Sequence, residues 1–537
     1  MDRDRAALNR LPRWLVPALA ALPVMGLGVF FAWPLGTLLA RVVRPSSVVD
    51  ALRTPGLGGV LWFTLWQAVA STVLTLVAGF APAYLLARYR FAGRRALMAL
   101  VTVPFMLPTV VVGAAFLALL PQSWHGTGRA VVLAHVFFNI AVVVRLVGAL
   151  WAVLPADLTA AARTLGASRT QVLRHVVLPL LRPALWAAAT VVFLFTFTAF
   201  GTVRLLGGAA NPTLEVEIAR RATQLGDVDG AAVLSVLQLV ALATVVWWSS
   251  RWQRRAAVPF DAPVGARRAR SRNERRLLLF GAGATAAVMA TPLLVMVSRS
   301  FRLGGAWSLR GWRTLSTAEV RPGLSLGVDP LASLTASLRF ALVAATVAVV
   351  AGGLAAFAIT SARRHGRWLD VGLMLPLGTS AVTIGLGLLI TFDSAPFDWR
   401  AEWWLIPVGH ALVATPFVVR ALLPVLRSIP ADQRAAAAVL GASPLRAWWA
   451  IDVRRLAGPL LGSAGLAAAI SLGEFGATTF LTRAGRDTMP IAIPRLLART
   501  GEVPRAQGFA LATVLLVATA TVIVLADRRG VLDVGRA

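Results

Sequence analysis

Long apolar runs alternate with short polar segments along most of the chain. Each run approaches or exceeds the roughly 20 residues that a helix needs to cross a bilayer. The first six runs lie near 14–41, 60–87, 99–120, 129–151, 183–205 and 231–250. The second six lie near 277–298, 333–360, 370–391, 402–424, 459–481 and 507–526. This pattern predicts an all-α polytopic membrane protein with about 12 transmembrane helices.

A basic segment, residues 251–276, separates the two sets of apolar runs. It carries nine Arg and two acidic residues, so it cannot lie in hydrocarbon. We therefore predict one transmembrane domain over residues 1–250 and a second over residues 277–537. The first apolar run is longer than the core of a signal peptide, so we expect it to remain as the first helix.

The two halves match each other at a fixed spacing. Most matched positions are 275 apart, whereas upstream Gly113 matches Gly385 at a spacing of 272. The pairs at 275 include His135 and His410, Pro155 and Pro430, Asp157 and Asp432, and Phe200-Gly201 and Phe475-Gly476. Random apolar sequence would not keep one register across helices and loops. The pattern indicates a tandem duplication of one six-helix domain.

The distribution of Arg predicts the topology. Six helices return the chain to its starting side, so the two copies are parallel, and the basic linker and both termini are expected in the cytoplasm. One feature departs from this pattern. Residues 299–332 and 483–506 carry five Arg each, yet the helix count places both segments outside.

Composition excludes several kinds of site. All 53 Lys and Arg residues are Arg, so the chain lacks the Lys of a phosphate-binding P-loop. It also has no Cys, so it forms no disulfide and no thiolate metal site. We found no HExxH motif and no pair of catalytic carboxylates. A net charge of +30 is typical of nucleic-acid binding, but in a membrane protein Arg in cytoplasmic loops explains it better. We expect no enzyme activity, cofactor, metal or nucleic acid.

The sequence LGAS occurs once in each copy, within loops of about 152–182 and 427–457. Ala-rich sequence leads to Gly166 and Gly441, where we expect a helix to end. Ser168 and Ser443 can then cap a second helix, with Pro444 at its first position in the second copy. Pro179 and Pro183 are expected to mark a turn back towards the membrane. Each copy thus predicts a cytoplasmic helix–turn–helix.

These loops resemble the EAA loop of type I ABC-importer permeases. The matching residues are Ala161, Ala162 and Gly166 in the first copy and Ala436, Ala437 and Gly441 in the second. The resemblance implies that each loop docks on a cytoplasmic ATPase dimer, which would bind the ATP and Mg. The Glu of the motif falls on Ala160 and Ala435, so both copies lack it. Asp157 and Asp432, three residues earlier, are candidates for an acidic contact, and Ser168 and Ser443 complete the coupling set.

The resemblance extends over nearly the whole chain. As a chain of this length with two fused permease domains, the protein resembles the thiamine and ferric-iron importers. The segment TLEVEI slightly favours thiamine. This implies a multi-pass protein of the bacterial plasma membrane, embedded in lipid. An extracytoplasmic binding protein would dock on loops near 206–230 and 481–506.

The candidate gate residues are Phe200, Gly201, Phe475 and Gly476, since Gly lets helices break or approach closely. Glu474 lies in apolar sequence where the first copy has Ala199. Its carboxylate could meet a cationic substrate, or it could satisfy a backbone break.

Three alternatives have different requirements. A secondary transporter with two parallel six-helix halves would need no ATPase and would usually carry coupling charges within the membrane, of which this chain has few. A membrane enzyme would need clustered catalytic groups, and none is found. A structural scaffold would not need repeated Gly positions at a gate.

Overall fold

Ten helices of the described chain are long and apolar enough to cross a membrane, and two further pairs of helices pass the same test together. The structure is a computed structural model, and it describes residues 15–42, 45–255, 266–317, 319–321, 324–325, 327–362, 365–483 and 485–527. If each pair forms one span, the number is up to 12. The predicted all-α polytopic fold is confirmed.

From the second span onward, the helices follow the same order in both halves. In the first half they are α1 (Leu15–Leu27), α2 (Trp33–Val42), α3 (Pro45–Arg53), α4 (Leu57–Arg88), α5 (Arg94–Met106), α6 (Thr109–Leu119), α7 (Gly128–Val153), α8 (Ala156–Thr164), α9 (Arg169–Val172), α10 (Leu178–Phe197), α11 (Gly201–Leu206), α12 (Leu214–Arg220) and α13 (Val228–Arg255). In the second half they are α14 (Arg272–Ser300), α15 (Arg310–Arg313), α16 (Pro330–Ser361), α17 (His365–Met374), α18 (Ala381–Phe392), α19 (Leu405–Arg427), α20 (Ala431–Val439), α21 (Pro444–Ala447), α22 (Arg454–Gly473), α23 (Gly476–Leu481), α24 (Met489–Ala498) and α25 (Glu502–Asp527).

Shorter elements connect these helices. The π-helical segments are Gly28–Ala32, Leu173–Val177, Arg221–Leu225 and Trp448–Val453, and the 3₁₀ turns are Gln122–Trp124, Thr314–Ser316, Pro376–Gly378 and Trp399–Ala401. Strands β1 (Arg302–Leu303) and β2 (Ala306–Trp307) pair antiparallel, as do β3 (Glu319–Arg321) and β4 (Leu324–Ser325).

The described residues form two compact units that differ from the two sequence repeats. One unit contains those within 1–51, 218–236 and 300–533, and the other those within 52–217 and 237–299. In the first unit, α1 and α2 therefore pack with helices of the second half. Apolar side chains such as Leu19 and Phe31 join its buried clusters. The division into 1–250, 251–276 and 277–537 remains a prediction about the duplication.

The third apolar run of each half is not one straight helix, so the continuous helices predicted over 99–120 and 370–391 are wrong. Helices α5 and α6 meet at a bend of 105°, and Gly366–Gly378 meets α18 at 97°. In the first half, Pro108 cannot donate a backbone hydrogen bond and forces Leu107 into an extended conformation. In the second half, Ser380 caps α18 by accepting from the Thr383 amide.

The second and fourth spans cross at a glycine in both halves. A Cβ at Gly79 would lie 2.7 Å from Cβ of Val143, and one at Gly352 would lie 2.8 Å from Cγ1 of Val418. Both contacts leave no room for a side chain, so these glycines allow the helices to approach closely. The duplication is thus visible in packing as well as in sequence.

A further pair of repeat-related glycines gives a stability test. A Cβ at Gly385 would lie 2.6 Å from the Ala477 backbone, whereas one at Gly113 would meet the Leu205 side chain at 2.8 Å. Backbone cannot move aside as a side chain can. Gly385→Ala should therefore destabilise the chain by about 1–3 kcal/mol, and Gly113→Ala by clearly less. Thermal unfolding of the purified variants would measure both, and equal destabilisation would contradict the packing difference.

Three side chains connect α4 to the segment that leads into α14. The Tyr89 hydroxyl donates to Oε1 of Glu274 at 2.8 Å, and Nη2 of Arg267 donates to the Tyr89 oxygen at 3.1 Å. Arg267 also pairs with Glu274. Burial, reinforced by hydrogen bonds to Tyr84 and Glu274, raises the pKa of Tyr89, so its phenol remains a donor. This cluster ties the end of the basic linker to the first half.

Candidate coupling turns and helix breaks

The LGAS sequences form the two turns that were predicted. We call residues 156–177 the first turn element and residues 431–453 the second. In the first, Gly166 has φ +83°, its amide donates to the Arg163 carbonyl at 3.0 Å, and the Ala167 amide donates to the Ala162 carbonyl at 3.0 Å. This is a Schellman motif, which requires the left-handed conformation that glycine adopts readily. The next helix begins at Ser168, whose Oγ accepts from the Gln171 amide.

The second turn element repeats this geometry. Gly441 has φ +80° and donates to the Ala438 carbonyl, while the Ala442 amide donates to the Ala437 carbonyl. Ser443 accepts from the Arg446 amide, and Pro444 is the first residue of α21. The predicted helix–turn–helix, its glycines and its serine caps are confirmed in both copies.

The tips of both turn elements are apolar and strongly exposed. Leu165 is 88% exposed and Leu440 is 86% exposed. Asp157 and Asp432 lie exposed in the first turns of α8 and α20, where a carboxylate is favourable near a helix N-terminus. Ala161 and Ala436 are also exposed. The two elements therefore present similar surfaces, and their role in coupling remains a proposal.

The predicted turn at Pro179 and Pro183 is wrong. One helix continues from Arg169 to Phe197, and its counterpart continues from Pro444 to Gly473. Both contain a π-helical segment, and Pro179 is the second residue after the first of these. A wider turn accommodates the missing amide and the bulk of the proline ring, so the helix continues without turning back.

The second turn element contains an ion pair that sequence reasoning missed. Asp452 is buried and accepts from Nε of Arg434 at 3.1 Å, with a second contact to the same guanidinium. The first copy has Thr159 and Val177 at these positions. This ion pair therefore links α20 to the following helix in the second copy. In the sequence, the only signal for this ion pair is that a basic and an acidic residue lie 18 positions apart.

The serine caps give a local test. Gln171 also accepts from the Ser168 amide through its side chain, so the first turn element has a full capping box, whereas the second has Arg446 at the equivalent position. Ser168→Ala should cost about 1 kcal/mol locally, and Ser443→Ala less. Amide hydrogen exchange at residues 169–172 and 445–447 would measure both. Equal acceleration would contradict the difference between the caps.

The fifth span of each half is interrupted near its far end, within the apolar runs near 183–205 and 459–481. In the first half α10 ends at Phe197 and α11 begins at Gly201; in the second, α22 ends at Gly473 and α23 begins at Gly476. Phe200 and Phe475 are each 7% exposed, so both lie buried within the breaks. The candidate gate residues thus coincide with the two interruptions.

Glu474 satisfies the backbone at the second break. Its Oε1 accepts from the Ala477 amide at 2.8 Å, and its Oε2 accepts from the Thr478 amide at 2.9 Å and hydroxyl at 2.6 Å. Nε2 of His410 lies 3.3 Å from the same Oε2. Charge-assisted bonds of this kind stabilise the start of a helix. In this conformation the carboxylate is occupied as a cap, the second of the two roles considered for it.

His410 bridges the two sides of the break. Its Nδ1 lies 2.7 Å from Oγ of Ser471 and its Nε2 lies 2.8 Å from Oγ1 of Thr478. Because the Thr478 hydroxyl donates to Glu474, the Thr478 oxygen accepts from His410, and Nε2 carries a proton. His410 thus connects the end of α22 to α23.

The first half uses different residues at the same place. Gln67 donates through Nε2 to the carbonyls of Thr64 and Thr196, so its Oε1 accepts from Nδ1 of His135 at 2.9 Å. His135 therefore carries its proton on Nδ1, the opposite nitrogen from His410. Both histidines are buried, as expected for packed residues. The duplicated histidines have diverged in their hydrogen bonding, and Ala199 provides no cap at the first break.

The segments after the breaks are held alike in the two halves. The Leu214 amide donates to Oγ1 of Thr64 at 2.9 Å, and the Met489 amide donates to Oγ of Ser337 at 2.8 Å. The predicted docking loops near 206–230 and 481–506 therefore contain helices, α12 and α24, that are attached to the second span of each half.

Comparison with known proteins identifies the family. Residues 75–257 match the family of binding-protein-dependent transport system inner membrane components. The putative 2-aminoethylphosphonate transport system permease protein PhnV of Salmonella typhimurium is 31% identical over 205 residues, covering 36% of this chain and 73% of that protein. The chain belongs to this family.

A second relative covers this permease almost completely. The thiamine transport system permease protein ThiP of Salmonella typhimurium is 26% identical over 544 residues, covering 96% of this chain and 97% of the relative. The sulfate transport system permease protein CysT of the same organism is 30% identical over 228 residues, covering 40% of this chain and 82% of the relative. Full-length similarity to one relative and partial similarity to shorter ones agree with two fused permease domains. The predictions of an ABC-importer permease and of a transport subunit, not an enzyme, are confirmed.

Proposed function

We propose that this permease forms the translocation path of an ATP-driven importer in the bacterial plasma membrane. ATP would be hydrolysed, with Mg, by a separate cytoplasmic ATPase dimer. An extracytoplasmic binding protein would deliver the solute. The family supports a permease that works with a separate binding protein, because its description names binding-protein-dependent transport.

One geometric observation carries the mechanism. The turn elements lie at one end of the fifth spans, and the breaks lie at the other. A continuous helix connects the two, over Arg169–Phe197 in the first half and Pro444–Gly473 in the second. At 1.5 Å per residue each is about 44 Å long, enough to cross the hydrocarbon core. Movement of an ATPase against a turn element would therefore reach the break through one stiff helix.

Each group of residues would have a defined role. The exposed turns at Gly166 and Gly441, with their flanking Asp, Ala and Ser residues, would contact the two ATPase subunits. Phe200-Gly201 and Phe475-Gly476 would form the gate. The two turn elements are alike enough to contact two copies of the same ATPase subunit, which accounts for the duplication.

Thiamine is the substrate that we propose. The support is a relative named for thiamine transport that matches over nearly the full chain. Ferric iron, the other substrate implied by the sequence, has no such support among the relatives described above. Because Glu474 is engaged as a cap, it is not proposed as a ligand for the cationic substrate.

Uptake by the native host would test the proposal. Deleting the gene should abolish uptake of radiolabelled thiamine at nanomolar concentration, and a plasmid copy should restore it. Ferric iron and sulfate in excess should not compete. Unchanged thiamine uptake in the deletion strain would exclude this substrate. Uptake that survives loss of the partner ATPase but stops when the proton gradient is dissipated would indicate a secondary transporter.

A further inference from the structure

A basic surface lies on the loop that follows α14. Strands β1 and β2 form a short hairpin, which closes where the Ser308 amide donates to the Phe301 carbonyl at 2.9 Å. Helix α15 follows directly. We call residues 301–313 the basic platform, because Arg302, Arg310 and Arg313 are all exposed on it.

The basic platform is held by specific packing. The rings of Phe301 and Trp312 stack at 5.3 Å with an interplanar angle of 23°. A Cβ at Gly311 would lie 2.8 Å from Cβ of Ala506, so α15 packs directly on α25. Nε2 of Gln507 donates to the Thr314 carbonyl at 2.7 Å. The three arginines are therefore presented on a rigid support.

The charges of the basic platform are not neutralised within the described part of the chain. There, Arg302, Arg310 and Arg313 form no ion pair with a carboxylate, although Glu502 lies beside the hairpin at Gly304. Three other arginines of the same unit behave differently: Arg400 and Arg483 both pair with Asp393, and Arg495 pairs with Asp487.

An aromatic side chain completes the surface. Trp307 is 69% exposed, and the guanidinium of Arg302 lies 4.8 Å from the centre of its ring. Exposed Trp and Arg together are the residues most enriched where proteins bind one another. The corresponding loop of the first half has a different composition, with helix α3 carrying both Asp50 and Arg53. The basic platform therefore belongs to the second half alone.

Topology makes these arginines unexpected. The helix count places the loop outside, where Arg in a short loop opposes the preferred orientation of the neighbouring spans. On that side the proposed binding protein would meet the permease, and an acidic surface on it would complement the three charges.

We propose that the basic platform docks an acidic patch on the extracytoplasmic binding protein, with Arg302, Arg310 and Arg313 supplying the charge and Trp307 the apolar contact. This inference rests on the proposed function. It adds the basic platform, a charged and aromatic contact site, to the docking loops predicted near 206–230 and 481–506. Docking is asymmetric, because only the second half carries the surface.

Photocrosslinking in intact cells tests this docking. Position 307 is replaced with the photoreactive residue benzoylphenylalanine, and adducts are identified by mass spectrometry after irradiation. The expected product joins the chain to a soluble solute-binding protein. The adduct yield should fall at least tenfold when Arg302→Glu, Arg310→Glu and Arg313→Glu are combined. It should persist when all three are changed to Lys.

The matched control reverses two exposed arginines at helix ends that the helix count places outside in the first half, Arg53→Glu at the end of α3 and Arg129→Glu at the start of α7, and should leave the yield unchanged. Correct insertion of every variant is checked by its yield in the membrane fraction. Adducts with lipid only, with another integral protein, or with a yield that charge reversal does not change would each overturn the docking proposal.

Uptake is measured in parallel. Thiamine uptake that depends on the gene but not on the three arginines rejects the docking site alone. A charge-dependent adduct in cells without gene-dependent thiamine uptake supports the docking site and rejects the substrate.

Discussion

Replacing Gly166 and Gly441 together with valine is expected to abolish uptake and binding of the ATPase while the chain still inserts into the membrane. Both glycines have φ near +80°, a conformation that costs a residue with a side chain about 1–2 kcal/mol, and more when it is β-branched. Nothing lies within 4 Å of a Cβ built at either position. The change therefore redirects the exposed tips without disturbing the rest of the chain.

Asparagine provides the matched comparison, because it tolerates the left-handed conformation. If the turn geometry alone is required, Gly166→Asn with Gly441→Asn should retain most uptake. If the ATPase also packs directly against the glycines, the asparagine variant should fail as well. Co-purification of the ATPase with each variant measures the contact directly. Normal assembly and uptake of the valine variant would exclude a coupling role for the turns.

Replacing Glu474 with alanine is expected to destabilise the chain by about 2–4 kcal/mol and to lower uptake strongly. The substitution leaves the Ala477 and Thr478 amides without their acceptor and leaves His410 without its carboxylate, all in a buried site. Glu474→Gln should be intermediate, because its amide oxygen replaces one acceptor while its NH₂ group faces a donor. Thermal unfolding in lipid nanodiscs gives the order of stability.

Glu402→Ala, a change at an exposed carboxylate, is the control and should leave the stability unchanged. The alternative role for Glu474 has a different result. A carboxylate that only contacted a cationic substrate would, when replaced by alanine, raise the KM for uptake and leave the melting temperature unaltered. That outcome would contradict the assignment of Glu474 as the cap of α23.

The parts of the fold that depend on local sequence were predictable. A glycine after an Ala-rich segment and a serine two residues later specify a Schellman turn followed by a capped helix, and both copies have it. The signals for helix end and helix start lie within seven residues in each copy, so no distant partner is needed. The same is true of the apolar runs, whose length alone predicts a span.

The parts that depend on distant partners were not predictable. An apolar run reads the same whether its helix is straight or bent by about 100°, so the third spans were drawn as single helices. Glu474 is ambiguous until His410, 64 positions earlier, is placed beside it. The packing of α1 and α2 with the second half has no local signal, because first helices in both halves are equally apolar.

If the turn elements control the breaks through the fifth spans, the accessibility of a break should respond to the ATPase. Because the chain has no cysteine, Thr479→Cys introduces a single thiol on α23. With the ATPase present, we expect ATP with vanadate to change the rate of maleimide labelling at this thiol. The change should disappear when Gly166→Val and Gly441→Val are added, because these substitutions are expected to prevent the ATPase from binding. A labelling rate that responds to ATP equally with intact and altered turns would exclude control of the breaks by the turn elements.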